Sequence, residues 1–170
     1  MLIFEHGPGT YIAKVADFGF STHFQGEQDL VQIPESKPWN APERHNRHFH
    51  PQNAKAMDVY SFSMLCLWLL FGVDSSSTMP SPPGTITNDS QVLCFEAHDR
   101  PEKENLLLSW KCDKDDRLLK WAIWLVAESQ HFATEMADNL SQFFQSSLRF
   151  DPQMRITDWD YLLSFLAPAR

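Results

Sequence analysis

The most constraining feature of this sequence is a run of uncharged, mostly apolar residues, VYSFSMLCLWLLFGV, at positions 59–73. This run of 15 residues is shorter than the roughly 20 apolar residues that a membrane-spanning helix needs. We therefore expect a helix over about 56–72, ended by Gly72 and buried on all sides in the core of a protein that does not enter a membrane.

The charge balance restricts the class of partner. The 170 residues carry a net charge of −8, whereas binding to nucleic-acid phosphates or to anionic lipid needs a basic face. We expect a protein substrate or a partner protein, with no nucleic acid and no membrane.

The cysteines and the first residues indicate a compartment. Cys66, Cys94 and Cys112 are an odd number at wide spacing, which matches neither a disulfide framework nor a zinc site. The initial MLIFEHGPG carries no basic leader and does not resemble a signal peptide. These features predict a reducing, cytoplasmic location.

Apolar patterning predicts the other elements. Residues 2–4 and 11–16 flank a Gly/Pro turn and predict a β-hairpin. The Ser/Pro-rich stretch 73–90 predicts a loop, and apolar residues at helical spacing predict helices over about 115–129 and 132–148.

The end of the chain predicts one more helix. It is expected to begin at Thr157, because Thr157-x-x-Asp160 resembles a capping box, and to run to about residue 166. The chain 1–170 is therefore predicted to form a single domain that is mainly α with a small N-terminal β-hairpin.

Two groups of side chains have more than one interpretation. Trp110, Trp121 and Trp124 could form an exposed patch for a partner, although core packing is favoured. The histidines of HNRHFH, at residues 45–50, could bind a metal ion. No carboxylate or cysteine completes a regular ligand pattern there, which favours a solvated loop.

Four short motifs occur in a fixed order around these elements. Asp17-Phe18-Gly19 follows the second predicted strand, and SKPWNAPE ends at Glu43. DVYSF begins at Asp58, and DPQMRIT, which contains Arg155, precedes the last predicted helix. Each motif is weak alone, but the four in this order resemble the C-terminal part of the large lobe of the protein-kinase family.

The resemblance implies a metal site and a gating segment. A phosphoryl-transfer site neutralises developing charge with magnesium, and by resemblance Asp17 is the magnesium ligand while Phe18 sets the active or inactive geometry. Gly19 permits unusual backbone angles that allow the loop to move. Residues 17–43 then correspond to the activation segment. The hydroxyl groups in it that are candidates for phosphorylation are Ser21, Thr22 and Ser36.

The resemblance also implies structural roles. Glu43 is expected to pair with Arg155, and removing one partner of such a buried pair costs roughly 3–5 kcal/mol. Asp58 is expected to accept hydrogen bonds from the backbone of the catalytic loop. Ser63 stands where the family commonly has glycine.

The catalytic machinery of the family is incomplete in these residues. The sequence contains no glycine-rich loop and no H-R-D-L-x-x-x-N catalytic loop, and residues 2–4 resemble the strand that follows that loop. We therefore expect the general base to lie upstream, with no catalytic residue in this chain.

Two function hypotheses follow. The first is a fragment of an ATP-dependent protein kinase domain, with serine/threonine specificity favoured over tyrosine, that is inactive by itself. The alternative is a pseudokinase-like or truncated protein-binding module with no transferase activity. ATP and Mg²⁺ would serve the intact domain and are not expected to bind this fragment tightly.

Overall fold

The computed structural model of the chain is mainly helical, and it describes residues 2–14, 21–23, 25–26, 28–45, 48–71 and 107–167. In chain order, its elements are strands β1 (Leu2–Gly7) and β2 (Thr10–Lys14) and helices α1 (Pro51–Phe71), α2 (Arg117–Glu128), α3 (Thr134–Ser147) and α4 (Trp159–Ser164). Short 3₁₀ turns occupy Pro42–His45 and Pro152–Met154, and residues 107–111 are also helical. The predicted class, mainly α with an N-terminal β-hairpin, is confirmed. The Ser/Pro-rich stretch 73–90 lies outside the described residues.

The hairpin has a shorter turn than the sequence predicts. β1 and β2 are antiparallel, with Leu2 opposite Lys14 and Gly7 opposite Thr10. Because β1 continues to Gly7, only two residues connect the strands. The second of them, Gly9, has a φ of 74°, in the left-handed region that glycine adopts at little cost.

Helix α1 begins at Pro51 rather than near residue 56. Proline suits the first position of a helix because it lacks an N–H group that would be unpaired there and its φ is already helical. The carbonyl of His50 accepts from the N–H groups of Asn53 and Ala54 at 2.9 and 3.1 Å, which closes the first turn. α1 is therefore 21 residues long.

This length and the burial of α1 correct two expectations. At 21 residues α1 is long and apolar enough to cross a membrane, so the argument against a spanning helix from length alone is wrong. Its inner face packs in the hydrophobic core, where Val59, Met64 and Leu67 are completely buried. Leu69 and Leu70 are exposed, so the helix is not buried on all sides.

Helix α3 packs against both α2 and α1. The ends of α2 and α3 lie within two residues of the predicted ones. The ring of Phe62 in α1 meets that of Phe143 in α3 edge to face, with centroids 6.1 Å apart. The buried apolar residues of α2 are Leu118, Leu119, Trp121, Ala122, Leu125 and Val126, and those of α3 are Leu140, Phe143 and Phe144. These faces contain apolar positions that the sequence places at helical spacing, and Leu119 and Val126 widen the buried face of α2 beyond the predicted stripe.

Helix α4 begins with a different cap from the predicted one. The carboxylate of Asp158 accepts the backbone N–H of Tyr161 at 3.1 Å. The hydroxyl of Thr157 instead accepts a long hydrogen bond of 3.5 Å from α1. The predicted box between Thr157 and Asp160 is therefore wrong, because a carboxylate one residue later caps the helix. α4 also ends at Ser164, before the predicted end.

Asp158→Ala is expected to lower the free energy of unfolding by about 1 kcal/mol, because it removes the acceptor for an N–H group in the first turn of α4. Thr157→Ala is the matched control and is expected to change this free energy by less than about 0.5 kcal/mol. Urea denaturation followed by circular dichroism measures both. An equal or larger loss in Thr157→Ala would contradict the assigned cap.

Candidate functional site

Residues 31–45, which we call the surface segment, cross the protein surface before α1 and are held to it at several points. At the first point, Val31 and Phe49 exchange backbone hydrogen bonds of 2.8 and 3.0 Å. Both of these side chains, and that of Ala41 farther along, are buried in the core. The segment is therefore fixed at its start by backbone pairing and near its end by packing.

A tight turn shapes the middle of the surface segment. The carbonyl of Ser36 accepts from the backbone N–H groups of Trp39 and Asn40 at 2.9 and 3.1 Å. The side-chain oxygen of Asn40 accepts the N–H of Ser36 at 2.8 Å, which closes the turn from the other side. The Trp39 ring meets that of Trp68 in α1 edge to face, with centroids 6.0 Å apart.

An ion pair joins the end of the surface segment to the loop before α4. Two nitrogens of the Arg155 guanidinium donate to the two carboxylate oxygens of Glu43 at 2.6 and 3.0 Å. The Arg155 side chain has no exposed surface, and that of Glu43 is 14% exposed. A bidentate pair fixes orientation as well as distance. The structure thus brings together the two residues that the family resemblance pairs.

The guanidinium of Arg155 also contacts three backbone carbonyls. Its Nε donates to Arg149 O at 2.7 Å, and its terminal nitrogens donate to Phe150 O and Ala56 O at 2.9 and 3.2 Å. Its central carbon lies 4.7 Å from the centroid of the Tyr60 ring. A guanidinium has five N–H donors, so each donor has an acceptor in this site.

A second carboxylate holds the loop that supplies two of these carbonyls. Asp116 accepts the backbone N–H of Phe150 at 2.6 Å through one oxygen, and the guanidinium of Arg149 at 3.0 Å through the other. Asp116 directly precedes α2 and has a φ of 56°. Aspartate adopts this left-handed conformation more readily than most residues. The start of α2 is thereby tied to the acceptors of Arg155.

Lys111 connects the middle of the surface segment to the helical residues 107–111. Its ammonium donates to Pro38 O at 2.7 Å and lies 5.9 Å from the Tyr60 ring centroid. Lys111 itself is only 5% exposed. Burial lowers the pKa of Lys111 to about 8, because the interior solvates the charged form poorly. Burial raises the pKa of the Tyr60 hydroxyl for the same reason. The uncharged Tyr60 ring thus lies beside two buried cations, the Lys111 ammonium and the Arg155 guanidinium.

Two cavities lie along the surface segment. The larger has a volume of about 570 Å³ and is lined by this segment and by residues 107–112, with Lys37, Arg44 and Lys111 among them. Its volume is in the range of small-molecule binding sites. The smaller, of about 330 Å³, is lined by the segment and by the first turns of α1.

The predicted gating residues fall into two groups. Asp17, Phe18 and Gly19 lie outside the described residues, so their predicted roles have no structural description. Ser36 is exposed on the turn of the surface segment. Of the other two hydroxyl residues, Ser21 is exposed, and the hydroxyl of the exposed Thr22 donates to a backbone carbonyl at 2.9 Å.

Two predicted residues of α1 have contrasting positions. Asp58 lines the smaller cavity together with Ser36, with part of the residue open to solvent. Partial burial of its carboxyl raises the pKa of Asp58. Ser63 is completely buried, and its hydroxyl donates to Val59 O at 2.9 Å. The helix therefore satisfies this serine internally.

Sequence reasoning missed Lys111, Asp116 and Tyr60. For Asp116 the sequence contains a usable signal, because adjacent acidic residues before a helix often cap or anchor it. For Lys111, which lies between a tryptophan and a cysteine, the sequence contains no such signal. The core interpretation is confirmed for Trp110 and Trp121, which are buried with ring centroids 5.8 Å apart, whereas Trp124 is half-buried against the core.

The described part of the chain contains no group of three or more His, Cys, Asp or Glu side chains placed to hold a metal ion. Comparisons with protein-family models, with curated proteins and with solved structures gave no match. The described residues hold the surface segment in place beside two cavities.

Glu43→Gln is expected to lower the free energy of unfolding by about 3 kcal/mol, because the Arg155 guanidinium stays charged and buried without its counter-ion. Arg155→Met is expected to cost more, about 4–5 kcal/mol, since three carbonyls also lose their donor. Chemical denaturation of each variant gives both values.

Glu35→Gln is the matched control for this pair of variants. Glu35 lies 3.7 Å from Lys37, but the two side chains are 58% and 57% exposed. Exposed pairs of this kind contribute about 0–1 kcal/mol. A loss in Glu43→Gln no greater than that in Glu35→Gln would show that the buried pair does not organise the site.

Raising the pH from about 7 to about 10 is expected to stabilise the wild-type protein relative to Lys111→Met. The folded state releases the Lys111 proton near pH 8, whereas the unfolded state keeps it to the ordinary value of 10.5. The unfolded state binds more protons in this window, so stability rises with pH. The measurement is the difference in unfolding free energy between the two proteins at each pH. A difference that does not vary with pH would contradict the burial of this ammonium.

Proposed function

We propose that the chain is part of a protein kinase domain, from the C-terminal portion of its large lobe. The parent activity in this proposal is ATP-dependent transfer of phosphate to serine or threonine side chains of proteins. The observation that carries it is the buried pair of Glu43 and Arg155. The pair joins the segment containing Ala41-Pro42-Glu43 to the loop before the last helix, and both residues belong to motifs that resemble those of the family.

Within this proposal the residues have separate roles. Asp17 is the magnesium ligand of the intact domain, and residues 20–40 gate the site and receive the protein substrate. Glu43, Arg155 and Asp58 keep the scaffold in place. Because Asp17 lies outside the described residues and no acidic cluster for magnesium occurs within them, no step of phosphoryl transfer is assigned to the described residues.

These 170 residues are expected to perform no phosphoryl transfer by themselves. In the family, the general base and the second magnesium ligand belong to the H-R-D-L-x-x-x-N loop, and the sequence contains no such loop. Without those two groups, neither the attacking hydroxyl nor the second metal ion can be positioned.

A protein-binding module without transferase activity is the second candidate. It is supported by the way in which the surface segment is anchored. The contacts of Lys111 with Pro38 and of Arg155 with Glu43 involve no nucleotide, and they hold the segment beside both cavities. Such a surface can bind a partner whether or not the nucleotide-binding part of a kinase is present.

Incubation of the purified chain with Mg²⁺, labelled ATP and casein is expected to give no phosphate transfer above a blank without the chain. The physical reason is the missing general base. Transfer that Asp17→Ala abolishes and Asp138→Ala, an exposed carboxylate on α3, leaves intact would contradict this prediction. It would instead assign autonomous kinase activity to the chain.

The encoding transcript distinguishes the two candidates. If the chain is part of an active kinase, the transcript carries an in-frame H-R-D motif and a glycine-rich loop upstream of Met1. The longer product is then expected to phosphorylate protein, and Asp17→Ala is expected to abolish the activity. A transcript whose reading frame has neither motif would favour the binding module.

A further inference from the structure

We propose that the larger cavity binds an acidic peptide segment of a partner protein. A carboxylate or phosphate side chain of the peptide contacts Lys37, Arg44 and Lys111, and an apolar neighbour fills the rest of the cavity. This inference rests on the proposed protein-binding role of the surface segment.

The lining of the cavity has the opposite charge to the whole protein. Lys37, Arg44 and Lys111 line it with one carboxylate, that of Glu35, on a chain of net charge −8. Glu35 and Lys37 are 3.7 Å apart and more than half exposed, and pairs of this kind are weak. Lys37 therefore contributes positive charge to the cavity wall. Positive charge in a concave site favours anions in preference to other ligands.

The two other cations have hydrogen-bonding capacity to spare. The Lys111 ammonium has three N–H donors, and among the described residues its acceptor is Pro38 O. Arg44 donates through Nε to Pro34 O at a long 3.4 Å, and its terminal nitrogens have no acceptor in the described part of the chain. A buried ammonium with a single acceptor is incompletely satisfied. An anionic oxygen would supply the missing acceptor.

The apolar part of the wall favours a peptide over a free inorganic ion. Leu107 and Leu108 line the cavity with Pro38, Ala41 and Pro42. Leu108 is 50% exposed, so a ligand that covers it removes apolar surface from water. The volume of about 570 Å³ far exceeds that of a phosphate ion. A peptide with an acidic residue between apolar ones matches both the charge and the wall.

Alkylation of Cys112 provides a direct readout, because this thiol is exposed and lines the cavity. The probes are N-acetyl-Leu-Glu-Leu-amide and its neutral analogue with glutamine, each added before iodoacetamide at about pH 7. Peptide mapping by mass spectrometry follows Cys112. The half-buried Cys66, whose pKa burial raises to about 12, reports any general opening of the protein.

The glutamyl peptide is expected to protect Cys112 at a concentration at least tenfold lower than the glutaminyl peptide, with no change at Cys66. Lys111→Met and Arg44→Gln are each expected to weaken this protection at least fivefold. Lys120→Gln removes an exposed cation on α2 and is expected to have no effect. Arg44 is half-buried on the cavity wall. The Arg44→Gln variant therefore still tests the proposal if Lys111→Met does not fold.

Equal protection by the two peptides, or none by either at millimolar concentration, would overturn the proposal. Protection by inorganic phosphate at the same concentration as the glutamyl peptide would overturn the peptide assignment, because the apolar wall would then add nothing. A phosphoseryl analogue that protects more strongly than the glutamyl peptide would support a phosphorylated partner. The two experiments can fail independently. A negative result in the Cys112 experiment does not change the result expected of the phosphate-transfer assay. Phosphate transfer in that assay would not prevent measurement of the preference of the cavity for the acidic peptide.

Discussion

The arrangement of the described residues depends on one buried guanidinium. A cation without exposed surface is tolerated only where it is paired and hydrogen-bonded, and Arg155 meets this condition with acceptors from Glu43, from Ala56 and from residues 149–150. Those acceptors lie in three separate stretches of chain. The end of the surface segment, the start of α1 and the loop before α4 therefore cannot change position independently.

The apolar core and this polar centre have different consequences. Burial of the α1, α2 and α3 faces is favourable but non-directional, so it stabilises the helical layer without fixing the surface above it. Hydrogen bonds and ion pairs are directional, and they hold the surface segment, whose middle residues are largely exposed. The surface segment is therefore a loop whose position is set by a well-packed scaffold.

The parts of this structure that the sequence predicted well are those with local patterns. α2 and α3 carry apolar residues at helical spacing, and their ends were placed closely. The predicted start of α1, near residue 56, is wrong because the helix begins at Pro51, and proline fits a first helical turn. Glu43 and Arg155 are 112 residues apart, and no periodicity connects them, so only the family resemblance suggested their contact. The burial of Lys111 depends on tertiary packing and leaves no trace in the surrounding residues.

The backbone conformation of Asp116 affects residues that are distant from it in the sequence. Its left-handed backbone directs a carboxylate to residues 149 and 150, whose carbonyls orient Arg155, which in turn orients Glu43. Asp116 lines neither cavity. The effect of a substitution at this one position would nevertheless reach the surface segment, through alternating side-chain and main-chain hydrogen bonds. A substitution at Asp116 would therefore alter the walls of the cavities without changing any residue that lines them.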